Sequence, residues 1–307
     1  MRLNQNKVAI LLSTYNGEKY ICEQLDSLLA STVPADIYIR DDGSQDSTLE
    51  IIAEYTSKHI NIELIPGDNI GVVGSFFNLI SYVNDKDYDF YCFCDQDDFW
   101  ENKKISAAID KISYSHTCVM YCSILKVVDE DLCFKFNSVY PNKEIGFSNA
   151  LVENIVTGCT VVLNKAAFAE IKYNLPDPRK IVMHDWWFYL VMSVKGKIIY
   201  DSDSFIKYRQ HGHNVEGMKT PIKRIISKFI KGRNNKYPRL TTQLKTFDNL
   251  YVQCFSAEQE KKIHLLISVL EKRRYFSFLS LLIRGKIYRN TLSDNMSLLY
   301  SFITGRI

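Results

Sequence analysis

Asp95-Gln96-Asp97-Asp98 places three carboxylates directly behind the apolar run Phe90-Tyr91-Cys92-Phe93-Cys94. A run of that kind reads as a buried strand, so the acids stand at its carboxyl end. Carboxylates so close together repel one another unless a cation sits among them. Oxygen ligands on a rigid strand end suit a hard divalent ion that keeps some waters and shares a phosphate-bearing substrate, which points to Mg2+ or Mn2+ with a nucleotide. A solvated acidic turn is the plain alternative.

The elements that must position these acids repeat a simple unit. Residues 8–13 are continuously apolar and end in Thr14-Tyr15-Asn16-Gly17, after which Ile21, Leu25, Leu28 and Leu29 recur at helical spacing. Ile37-Tyr38-Ile39 runs into Asp41-Asp42-Gly43-Ser44 before a helix through Leu49, Ile51, Ile52 and Tyr55. Residues 62–65 lead to a loop over 66–71 and a helix through Leu79, and residues 90–94 form the fourth strand. Strands alternating with helices imply an α/β fold with a parallel sheet wound by right-handed crossovers. The polar clusters at 13–18, 41–46 and 95–98 should then meet in one crevice at the carboxyl ends of the strands. Asp42 is placed for a base N–H or a ribose hydroxyl, and Asp41 equally for shaping the Asp-Gly turn. Asp46 or Ser47 is the better cap for the next helix.

Later apolar runs at 118–128, 155–163, 197–200 and 205–208 extend the sheet in mixed orientation. Beyond Gly217 the texture changes to Lys/Arg-rich amphipathic segments at 222–230 and 265–283, separated by a polar stretch over 231–239. The expected division is a catalytic domain over 1–217 and a basic, mainly helical region over 218–307. Residues 1–217 hold 20 Lys and Arg against 30 Asp and Glu, and residues 218–307 hold 18 against 5. Opposite signs point to a carboxylate-rich site in one part and a basic face for an anionic partner in the other.

The chain has 307 residues and 46% apolar content, enough for a large core. Its eight cysteines show no C-x-x-C pair or zinc-ligand spacing, so they read as reduced packing residues and favour the cytosol. The sequence does not open on a cleavable leader pattern, and no run approaches the roughly 18 apolar residues of a membrane span, so membrane contact is expected to be peripheral. Neither G-x-G-x-x-G nor G-x-x-x-x-G-K-[ST] occurs, which turns phosphate neutralisation toward a cation on Asp97.

Ser13-Thr14-Tyr15-Asn16-Gly17-Glu18, the run from Asp41 to Thr48, Asn69-x-Gly71 and Asp95-Gln96-Asp97-Asp98-x-Trp100 resemble, in order and spacing, the motifs of family 2 glycosyltransferases, which invert and have the GT-A fold. The likeness continues through Thr157-Gly158-Cys159-Thr160, His184-Asp185-Trp186-Trp187 and the segment Tyr208 to Val215, similar to bacterial rhamnosyltransferases of polysaccharide synthesis. It covers roughly residues 7–217. The resemblance implies a Rossmann-like nucleotide-diphospho-sugar transferase with a mixed sheet flanked by helices, followed here by a helical appendage. It also implies that Ser13, Tyr15 and Asp42 hold base and ribose, that Asp95 supports the ribose or the metal shell, and that Asp97 ligates the metal. Asp185 would be the general base and His211 a metal or diphosphate contact, whose nitrogen tilts preference toward Mn2+. His184 and His213 read as ordinary hydrogen-bonding residues.

Trp186 and Trp187 offer flat faces for an acceptor sugar, but neighbours on a helix point about 100° apart, so one of them belongs to the core. Asn69, Gly71 and Asn78 shape a loop over the donor sugar or a plain turn before a helix. Arg209 pairs with diphosphate or forms a structural salt bridge.

The basic segment around Lys219, Lys223, Arg224, Lys228, Lys231 and Arg233, interleaved with Ile222, Ile225, Ile226, Phe229 and Ile230, suits an anionic membrane surface or a helix packed on the catalytic domain. A lipid-diphosphate-linked saccharide acceptor would explain it, and nothing resembles a nucleic-acid recognition module. The expected activity is extension of a bacterial surface polysaccharide, O-antigen or capsule, from dTDP-L-rhamnose. Three other readings are the same fold using a UDP-hexose, a receiver-like regulatory module, and a nucleotide-sugar binding protein without turnover.

Overall fold

A computed structural model describes residues 6–113, 115–211 and 239–307. The chain divides into two compact units, the first built from residues 1–139, 156–175 and 197–218, the second from 140–155, 176–196 and 219–307. This departs from the expected division at 217, because two internal segments join the C-terminal helices.

In the first unit, β1 (Val8–Thr14), α1 (Ile21–Leu29), β2 (Asp36–Asp41), α2 (Thr48–Lys58), β3 (Ile62–Pro66), α3 (Gly71–Tyr82) and β4 (Phe90–Asp95) follow the expected alternation. They are joined by β5 (Phe99–Trp100), α4 (Lys104–Ile112), β6 (Val119–Ser123), β7 (Lys126–Val128), β8 (Phe134–Asn137), β9 (Val162–Asn164), α6 (Lys165–Tyr173), β10 (Lys197–Asp201) and β11 (Ile206–Arg209). The main sheet has the order β10-β6-β9-β4-β1-β2-β3. Only β9 runs antiparallel to its neighbours within it, which makes the sheet mixed.

Alternate residues of each strand serve opposite faces. Ile10, Leu12, Cys92 and Cys94 pack with Ile21 and Leu25 of α1, Ile52 of α2 and Ile105 of α4. From the other set, Phe93 meets Phe76 of α3 at 5.8 Å and Tyr91 stacks on Phe168 of α6 at 3.5 Å. Helices on both faces explain why these strands are continuously apolar rather than alternating.

The run at 118–128 serves two sheets rather than one. It breaks at Ile124-Leu125, whose amides bond Asp201 O and Ser138 Oγ, and β7 enters a second sheet of order β5-β11-β7-β8. The run at 155–163 contributes only the short β9, after a 3-10 turn over Gly158–Thr160.

The second unit is helical, with α5 (Phe147–Ala150), α7 (His184–Lys195), α8 (Leu240–Tyr251), α9 (Ala257–Glu271), α10 (Tyr275–Ile283) and α11 (Leu292–Ile303). Trp187 of α7 lies edge-on to Phe247 and Tyr251 of α8 at 5.7 and 6.1 Å, which is why α7 belongs here. The stretch at 265–283 forms parts of two helices, because Arg273 turns the chain with φ +47°. The amphipathic basic segment at 222–230 lies outside the described residues, as do His213 and Gly212.

Candidate active site

The register of the central strands decides which loops meet. Thr14 pairs with Asp41 and Ser13 with Asp95, so the three polar clusters leave the sheet side by side. Gln96 locks two of them: its Oε1 accepts from Thr14 Oγ1 and Tyr15 N, both at 2.7 Å, and its Nε2 donates to Tyr15 O at 3.1 Å. The first and second clusters interlock through Asn16 N to Ser44 Oγ, Gln45 N to Asn16 Oδ1 and Ser47 N to Glu18 Oε2. Asn16 turns the chain at φ +49°, a region its short polar side chain tolerates. Gly17 is required by space, since a Cβ there would lie 2.6 Å from Gln96 Oε1 and 2.9 Å from Thr14 Oγ1. The Tyr15 ring, 44% exposed, remains open to a planar ligand.

The Asp41-Asp42 pair divides its labour. Asp41 shapes the turn by accepting from Gly43 N, Ser44 N and Ser44 Oγ, and Asp46, one residue ahead of the N-cap Ser47, accepts from Thr48 N at the start of α2. Asp42, expected at the base or ribose, is buried against Arg40, while its Oδ1 and Oδ2 accept from Ile70 N and Gly71 N at 2.8 and 2.9 Å. Those amides open α3, whose own N-terminal residue supplies no side-chain cap. Asp42 therefore anchors the 67–71 loop, and Asn69 sits exposed on that loop. Ser13 Oγ is bonded to Ser75 Oγ at 2.6 Å.

Behind Gln96, Asp97 Oδ2 lies 2.7 Å from His211 Nε2. Arg209 fixes this corner from β11: its backbone N donates to Asp98 Oδ1, its Nε to Asp97 O at 2.9 Å, and its remaining nitrogens reach Glu130 O and the Glu23 carboxylate. The guanidinium is buried over the Tyr20 ring, which also meets the His211 ring at 4.8 Å. Of the two readings of Arg209, these contacts match the structural salt bridge: its guanidinium reaches three internal acceptors and holds the acidic corner in position.

Asp95, Asp98 and Cys159 bring one ligand atom each within 4.8 Å of one another. Burial, with the charges of Asp97 and Asp95, pushes the Asp98 carboxyl well above the usual carboxylate range, and burial likewise raises the Cys159 thiol. The Asp97–His211 contact is a hydrogen bond, and a divalent ion held by both side chains would take the place of its proton.

In the second unit, Asp185 occupies the first turn of α7, where the helix dipole favours a carboxylate. Its Oδ1 accepts from Asn154 Nδ2 at 2.9 Å and Trp186 N at 2.7 Å. Trp186 is half-buried and donates from Nε1 to Ala150 O. Trp187 is fully buried, which corrects its placement at a sugar: its ring belongs to the core with Phe247 and Tyr251. Burial also lowers the neighbouring His184 to about 3, so its imidazole is neutral.

Gln96, Asn154 and Glu23 are site residues that the sequence reading passed over. Gln96 sits inside the acidic motif and could have been suspected from that position. Asn154 and Glu23 leave no local signal.

The family model for glycosyl transferase family 2 matches residues 9–172, which span β1 through α6. The chain belongs to that family. This glycosyltransferase is 31% identical over 242 residues to the dTDP-rhamnosyl transferase RfbG of Shigella flexneri, covering 76% of this chain and 83% of that one. Among solved structures it is similar to residues 1–349 of Staphylococcus aureus TarS in complex with UDP-GlcNAc, with TM-score 0.54, 17% identity and coverage of 97% and 92%. It is also similar to the mannosyltransferase PcManGT from Pyrobaculum calidifontis in complex with GDP-Man and Mn2+, with TM-score 0.51, 13% identity and coverage of 99% and 86%. At these identities the structural likeness establishes the GT-A fold.

Proposed function

We propose that this family 2 enzyme is an inverting transferase that moves L-rhamnose from dTDP-L-rhamnose to a hydroxyl of a growing bacterial surface glycan. One observation carries the reading: three strand-end loops, two locked by Gln96 and the third tied in through Asn16 and Ser44, meet beside the Asp97–His211 pair. The rhamnose assignment is supported by the likeness to the Shigella dTDP-rhamnosyl transferase. Tyr15 and Ser13 face the nucleoside, and Asp95 stands at the edge of the metal shell. Asp97 and His211 would hold Mg2+ or Mn2+, which supplies charge stabilisation for the departing nucleoside diphosphate.

Asp185 takes the proton from the acceptor hydroxyl as that oxygen attacks the anomeric carbon in line with the leaving group, and a single carboxylate suffices for one displacement. Asn154 and the Trp186 amide orient the carboxylate through Oδ1 in the first turn of α7. Trp186 and Asn69 are the remaining candidates for sugar contacts. A lipid-diphosphate-linked acceptor at the inner face of the plasma membrane suits the basic character of residues 218–307.

Asp185→Asn should lower kcat by about 10² to 10⁴ while dTDP affinity stays within about twofold. A comparable loss of dTDP affinity would remove Asp185 from the chemical step. The second reading, a UDP-hexose donor, is favoured by the fold likeness to a UDP-GlcNAc complex. Thermal shift with dTDP and UDP in the presence of Mn2+ separates the two: stabilisation by UDP alone would overturn rhamnose.

A further inference from the structure

Among the described residues, two helices of the second unit leave an apolar face uncovered. α10 carries no charged residue, and α11 carries one, Asp294, which is buried. Phe276, Leu279 and Ile283 fall at i, i+3 and i+7 on one stripe of α10 and are 90%, 38% and 76% exposed. Leu292, Met296 and Ile303 form a similar exposed stripe along α11. These helices already meet through other residues, with Phe278 stacked on Phe302 at 4.1 Å, so the stripes are surplus to their mutual packing. Beside them opens a cleft of about 900 Å³ lined by Leu279, Leu282, Ile283, Leu292, Met296 and Leu299, among others.

The surroundings of this face are basic. From Lys272 to Ile307 the sequence holds seven Lys and Arg and a single acid, the buried Asp294. Lys272, Arg273 and Arg274 precede α10, and Arg284 and Lys286 follow it, all exposed. Arg273 caps α11 through the Phe302 and Ile303 carbonyls, Lys286 lies 3.6 Å from Glu258, and Glu144 on the cleft rim stands next to Lys143. The balance at the rim remains positive.

We propose that the α10–α11 face docks on an anionic lipid bilayer, its apolar stripes sunk into the boundary between headgroups and acyl chains and its cations set against lipid phosphates. The charge pattern selects this occupant over a second copy of the chain, because two copies face to face would oppose like-charged rims. Helices of nine and twelve residues are about 14 and 18 Å long, short of the roughly 30 Å hydrocarbon core, so they lie on the membrane. No helix among the described residues is long and apolar enough to cross a membrane. The use of this contact, bringing the enzyme to a membrane-borne acceptor, rests on the function proposed above, whereas the contact itself does not.

The test is flotation of the full chain with phosphatidylcholine vesicles, with and without phosphatidylglycerol, beside the variant F276S/I283S/L292S, whose substituted side chains are exposed. The wild type should bind the anionic vesicles at least about tenfold better than the neutral ones, and the variant should lose at least about tenfold of that binding while its melting temperature and dTDP response stay unchanged. Wild-type protein that ignores anionic vesicles, or a variant that binds within about twofold of wild type, overturns the proposal. A wild-type dimer that the variant abolishes, without vesicle binding, assigns the face to a second copy and overturns it as well. Vesicle binding that follows the expected pattern in a protein lacking any nucleotide response supports the docking and counts against the donor reading alone.

Discussion

Asp42→Asn separates two roles for one carboxylate, because the anchoring role acts in the nucleotide-free protein and a base contact does not. Asp42 and Arg40 are both buried, and the carboxylate also accepts the two amides that open α3. Asparagine keeps the shape but removes the charge. It leaves the Arg40 guanidinium buried without its carboxylate and turns an NH2 group toward one of the two backbone donors. Breaking a buried ion pair from one side costs about 3–5 kcal/mol, and the oxygen that asparagine retains puts the expectation near about 3. For a unit of this size that corresponds to a fall in Tm of roughly 6–12 °C. Thermal denaturation of the nucleotide-free protein, followed by titration with dTDP, is the assay. Removing the guanidinium as well, as in R40M/D42N, should recover part of the loss, since no uncompensated charge remains and the asparagine oxygen still accepts one of the two amides. An unchanged Tm combined with a dTDP affinity lowered by about tenfold or more would refute the anchoring argument and return Asp42 to the nucleoside.

Gly17→Ala should displace the Gln96 carboxamide and with it up to three hydrogen bonds, lowering stability by about 1–3 kcal/mol and weakening dTDP binding; a Tm equal to wild type would show that the loops yield without cost. His211→Ala should weaken Mn2+ binding, read by electron paramagnetic resonance of the free ion, and EDTA should remove activity that added Mn2+ restores; equal Mn2+ affinity in the variant would take His211 out of the ligand set. His184 has a folded pKa of about 3 against an ordinary 6.5, so its contribution is complete above pH 6.5 and declines as pH falls toward 3. At pH 5 this amounts to about 2 kcal/mol, which His184→Gln should abolish; a variant that loses as much stability between pH 7.5 and 5 as wild type would trace the acid sensitivity to another group.

The sequence by itself determined the alternation of strands and helices through residue 95 and the gathering of three polar loops at one sheet edge. Strand and helix periods are local, and a continuously apolar run followed by acids specifies both a buried strand and its functional end. The family motifs were legible for the same reason, being contiguous. Tertiary structure decided what each side chain does with its polar atoms. Arg209 lies more than a hundred residues from Asp97 and reads equally as a ligand or a strut until its acceptors are known. Trp186 and Trp187 are adjacent and alike in sequence, yet α8 covers one and leaves the other half-buried. Asp41 and Asp42 differ in which partners reach them, Gly43 and Ser44 for the first and Arg40 with the Ile70 and Gly71 amides for the second, and that depends on the loop leading into α3. Patterns along the chain fix which face is apolar, whereas the partner of a buried polar group is set by whichever distant segment packing brings within about 3 Å.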